Sequence, residues 1–147
     1  YNIAHVVNNI LLKGNETNTA ITPMKLQKLL YFFYKAYLQK YNRALFSERF
    51  EPWTYGPVIS EVYYEFKDLR DKPIERYMPD GDGERLCVDL DACPEYKRCF
   101  EGIWSKYSGY TGVGLSSLTH QAGSPWWKAY QGDDQFLADD DIKNLEN

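Results

Sequence analysis

Of the two histidines in the chain, His120 lies in a polar stretch where an imidazole could do chemistry, the run LTHQAGSPW. A Ser–His or Cys–His pair is conceivable there, but the chain carries no nucleophile motif such as a serine elbow. Metal binding would need further ligands at suitable spacing, and none stand near it. We therefore predict that His120 fastens the loop between two short helices. An enzyme centred on His120 is the competing interpretation, and His5 is predicted to be a surface or half-buried residue.

A second candidate is the acidic run DGDGE at residues 80–84, which imitates the first half of a calcium-binding loop. An EF-hand loop needs glycine at its sixth position for a sharp turn, and this chain has Arg85 there. The flanking residues are also typical of strands rather than helices. We therefore predict a plain hairpin turn here and no metal site.

The glycines of GYTGVG, residues 109–114, do not follow a predicted strand, so a phosphate cradle is not expected. We accordingly expect no cofactor. The three cysteines are an odd number without a CxxC pair, which favours reduced thiols over a disulfide framework. No apolar run reaches the roughly 18 residues that a membrane span needs, and no signal peptide is visible. These features predict a cytoplasmic protein without a membrane partner.

The candidate functional residues must be positioned by helices. The clearest helical pattern in the sequence begins at Thr22. Threonine is a good N-cap, and Pro23 suits the first helical position because its missing N–H would be unpaired there anyway. The helix should run to about Tyr41 and is apolar over most of its circumference, with Lys28, Lys35 and Gln39 as a narrow polar stripe. A helix of this kind is normally central and packed on more than one side.

The rest of the chain predicts shorter elements around this helix. Apolar residues at helical spacing predict a first helix that ends near Gly14, and Gly56-Pro57 is predicted to restart a helix after an extended stretch. The turn-rich residues 79–83, flanked by apolar runs, predict a β-hairpin. Further helices are expected from about Pro94, from Val113 to Thr119, from Ser124-Pro125 to Tyr130, and at Asp139–Asp141. The sequence thus predicts a mainly α (α+β) fold, a single compact helical domain over residues 1–147 around a central hydrophobic helix, with one small β-hairpin.

Charge and aromatic content favour protein binding over nucleic-acid binding. The chain has 13 Tyr, 7 Phe and 4 Trp, side chains that are over-represented at interface hot spots. Net charge is −4, whereas neutralising phosphates needs clustered lysine and arginine. Residues 1–70 carry nine basic and six acidic groups, or +3, and residues 71–147 carry eight and fifteen, or −7. A nucleic-acid partner is therefore not expected, although the lysines between Lys25 and Lys40 leave a basic helix face as an alternative.

Several runs in this sequence resemble those of a known family. They are TPMKLQKLLYF at residues 22–32, FEPWTYGPV at 50–58, EVY at 61–63, LSSLTHQ at 115–121 and GSPW at 123–126. Their order and separation resemble the Panacea domain, the SocA-like and phage-associated (GepA-type) antitoxin family. The resemblance covers most of the chain, from residue 3 to residue 126. Cys87, the acidic turn and the tail after Gln131 lie outside it.

The resemblance implies a bacterial or phage-borne antitoxin that neutralises a toxin encoded beside it by binding the toxin protein. The SocA-like branch also acts as an adaptor that hands its toxin to the ClpXP protease, so ClpXP-type machinery is a second implied partner. Many family members carry an added DNA-binding domain, and the sequence gives no expectation of one here. A phage-associated regulatory or nucleic-acid-binding module is the alternative function.

The residues of the shared runs divide into two groups. Aromatic and basic side chains are the candidate toxin contacts, each in competition with a core role: Lys28, Tyr31, Lys35, Trp53, Tyr55 and Trp126. The remaining motif residues are expected to be structural: Leu26, Gln27, Leu30, Gly56, Pro57, Thr119, His120 and Pro125.

Overall fold

The computed structural model describes residues 1–81 and 86–144, and this part of the chain is mainly α-helical, as predicted. The helices are α1 Ile3–Glu16, α2 Pro23–Tyr41, α3 Ser60–Phe66, α4 Pro94–Tyr107, α5 Gly112–Thr119, α6 Pro125–Gln131 and α7 Asp139–Asn144. A 3-10 helix at Lys67–Leu69 continues α3, and two short strands, β1 Glu51–Trp53 and β2 Gly56–Val58, pair antiparallel. Within the described residues, none of the helices combines the length and apolar character needed to cross a membrane.

Helix α2 is the centre of the fold. Its start is the predicted one, because the Thr22 hydroxyl accepts a hydrogen bond from the Lys25 N–H at 3.3 Å and Pro23 occupies the first turn. Its end is also the predicted one, since Asn42 takes the left-handed conformation with φ 55°. Helices α1, α3, α4, α5 and α7 all pack against it. Every residue from Lys25 to Lys35 is buried.

The predicted polar stripe on α2 is wrong for its two lysines, whereas its third member, Gln39, is exposed. Lys28 is only 1% exposed, and Lys25 and Lys35 are also buried. Lysine can bury its aliphatic stem along apolar surface and still place its amine against a polar group, which a helical pattern does not reveal. Of the four lysines between Lys25 and Lys40, only Lys40 is exposed. The basic face required by the nucleic-acid alternative is therefore not on the surface of this helix.

The predicted β-hairpin lies in a different place. The described residues on either side of the predicted turn, 74–81 and 86–88, contain no strand, and the turn itself partly lies outside the described residues. The strands instead flank Thr54-Tyr55, with Glu51 opposite Val58 and Trp53 opposite Gly56. Gly56-Pro57 therefore belongs to strand β2 rather than to a helix start, and α3 begins at Ser60.

Two asparagines of α1 explain why residues 74–81 and 86–88 need no strand partner. The Asn8 side-chain amide donates to the backbone oxygens of Met78 at 2.9 Å and Leu86 at 2.8 Å, and its oxygen accepts from the Met78 N–H at 2.8 Å. Asn9 forms the same kind of pair with the backbone of Val88. Buried backbone groups must find partners, and here asparagine side chains supply them.

Helix α1 also runs past its predicted end. Gly14 lies within the helix, which continues to Glu16. A Cβ at Gly14 would lie 2.8 Å from the Thr19 carbonyl oxygen and 2.9 Å from a side-chain carbon of Ile21. The glycine therefore permits close packing of the following loop, rather than ending the helix.

Replacing Asn8 by alanine tests the role of the buried amide. We expect Asn8→Ala to lower the free energy of unfolding by about 1–3 kcal/mol, because it leaves backbone groups of Met78 and Leu86 without partners. Asn15→Ala on the same helix is the control, since the Asn15 amide makes one exposed bond to the Tyr77 hydroxyl. Urea titration measures both changes. Equal losses in the two variants would contradict the role given to Asn8.

Candidate functional site

The β1–β2 hairpin is held against the C-terminal helices by its own carbonyl groups. The Trp126 indole N–H donates to the Trp53 carbonyl oxygen at 2.6 Å. The Ser116 hydroxyl on α5 donates to the Tyr55 carbonyl oxygen in a short hydrogen bond. The GSPW and LSSLTHQ runs therefore each contribute one side chain that binds the hairpin. Ser124 caps α6 as predicted, because its hydroxyl accepts a hydrogen bond from the Trp127 N–H at 3.1 Å.

Helix α2 holds the other side of the hairpin through two polar residues of its first turns. The Gln27 amide donates to the Ile59 carbonyl oxygen at 3.0 Å and accepts from the Ile59 N–H at 2.9 Å. The Lys28 amine donates to the Pro57 carbonyl oxygen at 2.9 Å. Their neighbours Leu26 and Leu30 are fully buried in the core. Strand β2 is therefore held to α2 at Pro57 and, just beyond its end, at Ile59.

Gly56 lies where these supports converge. Its φ of +115° is a conformation that L side chains rarely adopt. A Cβ there would lie 2.7 Å from the Thr119 hydroxyl oxygen and 3.1 Å from Cε of Lys28. Thr119 itself is fixed, because its hydroxyl donates to the Ser116 carbonyl oxygen at 2.8 Å. Only glycine fits between α2 and α5 at this point.

The Lys28 amine has an unusual electrostatic environment. Burial lowers the pKa of Lys28 from its ordinary value of 10.5 to about 7, because the charged form is poorly solvated there. Within the described residues no carboxylate forms an ion pair with it, and its acceptor is the neutral Pro57 carbonyl group. The amine at the centre of the site is therefore only partly protonated near neutral pH.

An open groove of about 570 Å³ lies beside the hairpin, between the start of α2 and helix α3. Its apolar walls come mainly from Met24, Val62 and Phe66, with Trp53 and Tyr55 on the hairpin side. The remaining lining residues are Pro23, Leu26, Gln27, Lys28, Pro52, Thr54, Val58, Tyr63, Arg70 and Tyr130. A volume of this size lies within the range of protein ligand pockets.

Exposed aromatic rings surround the groove. Tyr55 is 66% exposed, and Tyr63 and Tyr130 are also exposed. Trp53 is half-buried and meets the Tyr63 ring edge-on at 4.7 Å between ring centroids. Trp126 is buried beneath, stacked on Tyr130 at 4.8 Å. The surface thus combines exposed tyrosines with a supporting buried tryptophan.

The six candidate contact residues occupy different places. Trp53, Tyr55 and Lys28 line the groove. Tyr31 is a core residue, 2% exposed, whose ring meets Phe50 edge-on at 5.3 Å. Lys35 lines a separate cavity together with Lys106, so the structure does not place it in the groove with Lys28.

His120 ends helix α5 and holds the loop to α6. Its Nδ1 hydrogen-bonds the Ser116 carbonyl oxygen, and its ring meets Trp126 edge-on at 5.3 Å. The Ser116 hydroxyl lies 3.4 Å from the same nitrogen but donates to the Tyr55 carbonyl oxygen. In the part of the chain that the structure describes, no carboxylate or thiol hydrogen-bonds His120. This geometry fits the predicted fastening role.

The predicted calcium-like run lies partly outside the described residues. Asp80 is the first residue of this run, and its Oδ2 lies 2.8 Å from Nε2 of His5. Among residues 1–81 and 86–144, no group of three or more His, Cys, Asp or Glu side chains is arranged to hold a metal ion. The three cysteines are free thiols.

Sequence reasoning did not single out Met24, Ser116, Arg70, Tyr63 and Tyr130 as site residues. Tyr63 lies in one of the recognised runs, which was the available signal. Arg70 and Tyr130 had no local signal, because they reach the groove from the end of the 3-10 helix and from α6. Only packing brings these segments together.

These features define a mainly helical domain that presents an open, aromatic-lined groove beside a short hairpin. Residues 26–127 match the family model "Antitoxin SocA-like, Panacea domain", which covers more than half of the chain. The chain belongs to this family, as its sequence runs predicted, and the family places it among the antitoxins. The matched region extends from the start of α2 to the start of α6 and includes the whole hairpin.

A curated relative is Antitoxin SocA of Caulobacter vibrioides (strain NA1000 / CB15N). The two sequences are 29% identical over 127 residues, which span 84% of this chain and 68% of the relative. No solved structure matches the chain.

The fit around Gly56 generates a stability prediction. We expect Gly56→Ala to lower the free energy of unfolding by about 1–2 kcal/mol for the positive φ, plus a further ~1–3 kcal/mol for overpacking against Thr119. Gly123→Ala is the matched control, because Gly123 has φ +84° but nothing within 4 Å of its added Cβ. Chemical denaturation compares the variants. A loss at Gly56 no larger than that at Gly123 would show that the close contact is unimportant.

Lys28 generates a pH prediction. Its folded pKa of about 7 lies below its ordinary value of 10.5, so between these pH values the unfolded chain holds a proton that the folded chain has released. The free energy of unfolding should therefore rise with pH above about 7, by up to about 1.4 kcal/mol per pH unit from this group. Urea titrations between pH 6.5 and 8.5 measure the slope, and the difference between wild type and Lys28→Met removes the contributions of the other titrating groups, including the cysteines of the unfolded chain.

Lys28→Met should reduce this slope, whereas Lys72→Met, at an exposed lysine, should leave it unchanged. Burial also lowers the pKa of Lys25 and Lys35, so part of the slope should persist in Lys28→Met. A slope identical in wild type and Lys28→Met would rule out a lowered pKa at Lys28.

Proposed function

We propose that this protein neutralises a cognate toxin by binding the toxin protein directly, and that the groove beside the hairpin is the centre of the interface. The observation that carries the proposal is membership of the antitoxin family over residues 26–127. Most of the residues that line the groove lie within this matched region, and Pro23, Met24 and Tyr130 lie just outside it.

The physical character of the groove supports protein binding. Specific protein complexes bury roughly 1,600 Å² in total, and a few anchors in the centre of the interface contribute most of the affinity. Tyr55, Tyr63 and Tyr130 offer such anchors, because a tyrosine ring presents apolar area and its hydroxyl keeps a polar partner. Single exposed hydrophobic residues are ordinary, but here several surround one concave surface.

The candidate residues divide into contact and support under this proposal. Trp53 and Tyr55 contact the toxin, since both line the groove and retain exposed surface. Trp126 and Lys28 act from behind by holding the carbonyl groups of the hairpin. Tyr31 and Lys35 do not line this groove. Tyr31 contributes through the core, and Lys35 is not given a toxin contact.

Co-expression with the neighbouring reading frame tests the proposal. We expect that frame to inhibit growth alone, and growth to recover when this protein is present and the two proteins co-purify. Tyr55→Ala should weaken binding about 10- to 100-fold, as expected for an interface hot spot. Tyr110→Ala is the matched control, because Tyr110 is 44% exposed but does not line the groove. Its affinity should stay within about threefold of wild type.

A neighbouring frame that is harmless, or that stays toxic without co-purifying, would overturn the proposed neutralisation. An equal effect of the two tyrosine variants would reject only the proposed location of the interface. Repeating the co-expression in cells with and without ClpX distinguishes neutralisation by binding alone from delivery of the toxin to a ClpXP-type protease. Neutralisation only in cells with ClpX would assign the adaptor role.

A further inference from the structure

The charges that line the groove are of one sign. Lys28 lies at its floor and Arg70 at its rim, and no aspartate or glutamate lines it within the described residues. The chain as a whole carries a net charge of −4, so this local excess of cations opposes the overall balance. A surface that is apolar, with cations only, is complementary to an apolar segment that carries a negative charge.

Arg70 has an exposed side chain without an ion pair or hydrogen bond to the described part of the chain. The nearest acidic residue before it, Asp68, is already engaged, because its carboxylate accepts from Arg76 at 2.9 Å. The Arg76 guanidinium also lies over the Phe66 ring at 5.3 Å. The arginine that pairs internally therefore lies outside the groove lining, and the one that lines the groove is available to a partner.

The residues at the floor of the groove do not supply a negative charge to pair with Arg70. The Lys28 amine donates to a neutral carbonyl oxygen, and the adjoining Gln27 amide is hydrogen-bonded to both the N–H and the carbonyl group of Ile59. Around them Met24, Val62 and Phe66 offer apolar area for a large side chain. An occupant without charge would leave Arg70 unpaired, whereas a carboxylate near the apolar anchor would pair with its guanidinium, a geometry that favours two hydrogen bonds.

We propose that the groove receives a segment of the toxin in which a large apolar side chain lies close in sequence to an aspartate or glutamate. The apolar side chain enters between the hairpin and α3, and the carboxylate pairs with Arg70 at the rim. This inference rests on the proposed function, because the occupant is taken from the toxin. Arg70 thereby selects an acidic segment among apolar ones.

Charge reversal at Arg70 tests the pairing with the full-length protein and the purified toxin of the neighbouring reading frame. We expect Arg70→Glu to raise the Kd at least tenfold at 50 mM salt and to reduce the salt dependence of binding. Arg98→Glu is the matched control, since Arg98 on α4 is also exposed but does not line the groove. Its Kd should stay within about threefold of wild type.

A second variant identifies the partner charge. Overlapping 12-residue peptides of the toxin should compete with the toxin only where they contain a large apolar residue and a carboxylate within a few positions. Changing that carboxylate to lysine in the toxin should weaken binding to wild type and restore binding to Arg70→Glu. Such rescue is not expected if Arg70 acts only on folding.

The outcomes separate the inference from the function on which it rests. If the wild-type protein neither binds nor neutralises the toxin, the proposed function fails. If the wild type binds but Arg70→Glu binds as tightly as Arg98→Glu, or if neutral peptides compete equally, this inference fails alone. A wild-type homodimer in sedimentation that Arg70→Glu dissociates, with toxin binding unchanged, would also overturn it in favour of a second copy of the chain.

Discussion

Burial of three consecutive turns of α2, from Lys25 to Lys35, is the constraint on which the rest of the structure depends. From Lys25 to Lys35 every side chain is removed from solvent, including two lysines near the start and a glutamine between them. Burying such groups costs free energy unless they find hydrogen-bond partners. The partners are backbone carbonyl groups of neighbouring segments: Ser108 for Lys25, Ile59 for Gln27 and Pro57 for Lys28. The loops around α2 are therefore placed by its polar residues as well as by its apolar ones.

This arrangement links the stability of the core to the shape of the surface. Lys28 and Gln27 hold one side of the β1–β2 hairpin, and Trp126 and Ser116 hold the other through carbonyl groups of the turn. With its backbone fixed on both sides, the hairpin projects Tyr55 outward and leaves a groove between itself and α3. The motif residues mostly build this support, while the exposed rings that face a partner come from several separate elements. A rigid scaffold of this kind reduces the entropy lost when a partner binds.

Local chemistry predicted much of the fold. The starts of α2 and α6 follow from a hydroxyl N-cap before proline, at Thr22-Pro23 and Ser124-Pro125, and both were found as expected. The central position of α2 followed from its apolar circumference. The hairpin was misplaced because residues 79–83 have turn chemistry, but the flanking backbone is bound by Asn8 and Asn9. Gly56-Pro57 was read as a helix start, although the positive φ of Gly56 places it at the end of a two-residue turn.

The sequence by itself determined the helices, the central element and the family, because capping, apolar periodicity and the spacing of the shared runs are all local along the chain. It did not determine that Lys28 is a buried anchor, that Trp126 supports the hairpin, or that Arg70 and Tyr130 meet at one groove. Those facts depend on contacts between residues far apart in sequence, such as Trp126 with Trp53. Whether a lysine lies in water or against a carbonyl group is decided by what packs over it, and only the tertiary structure supplies that neighbour.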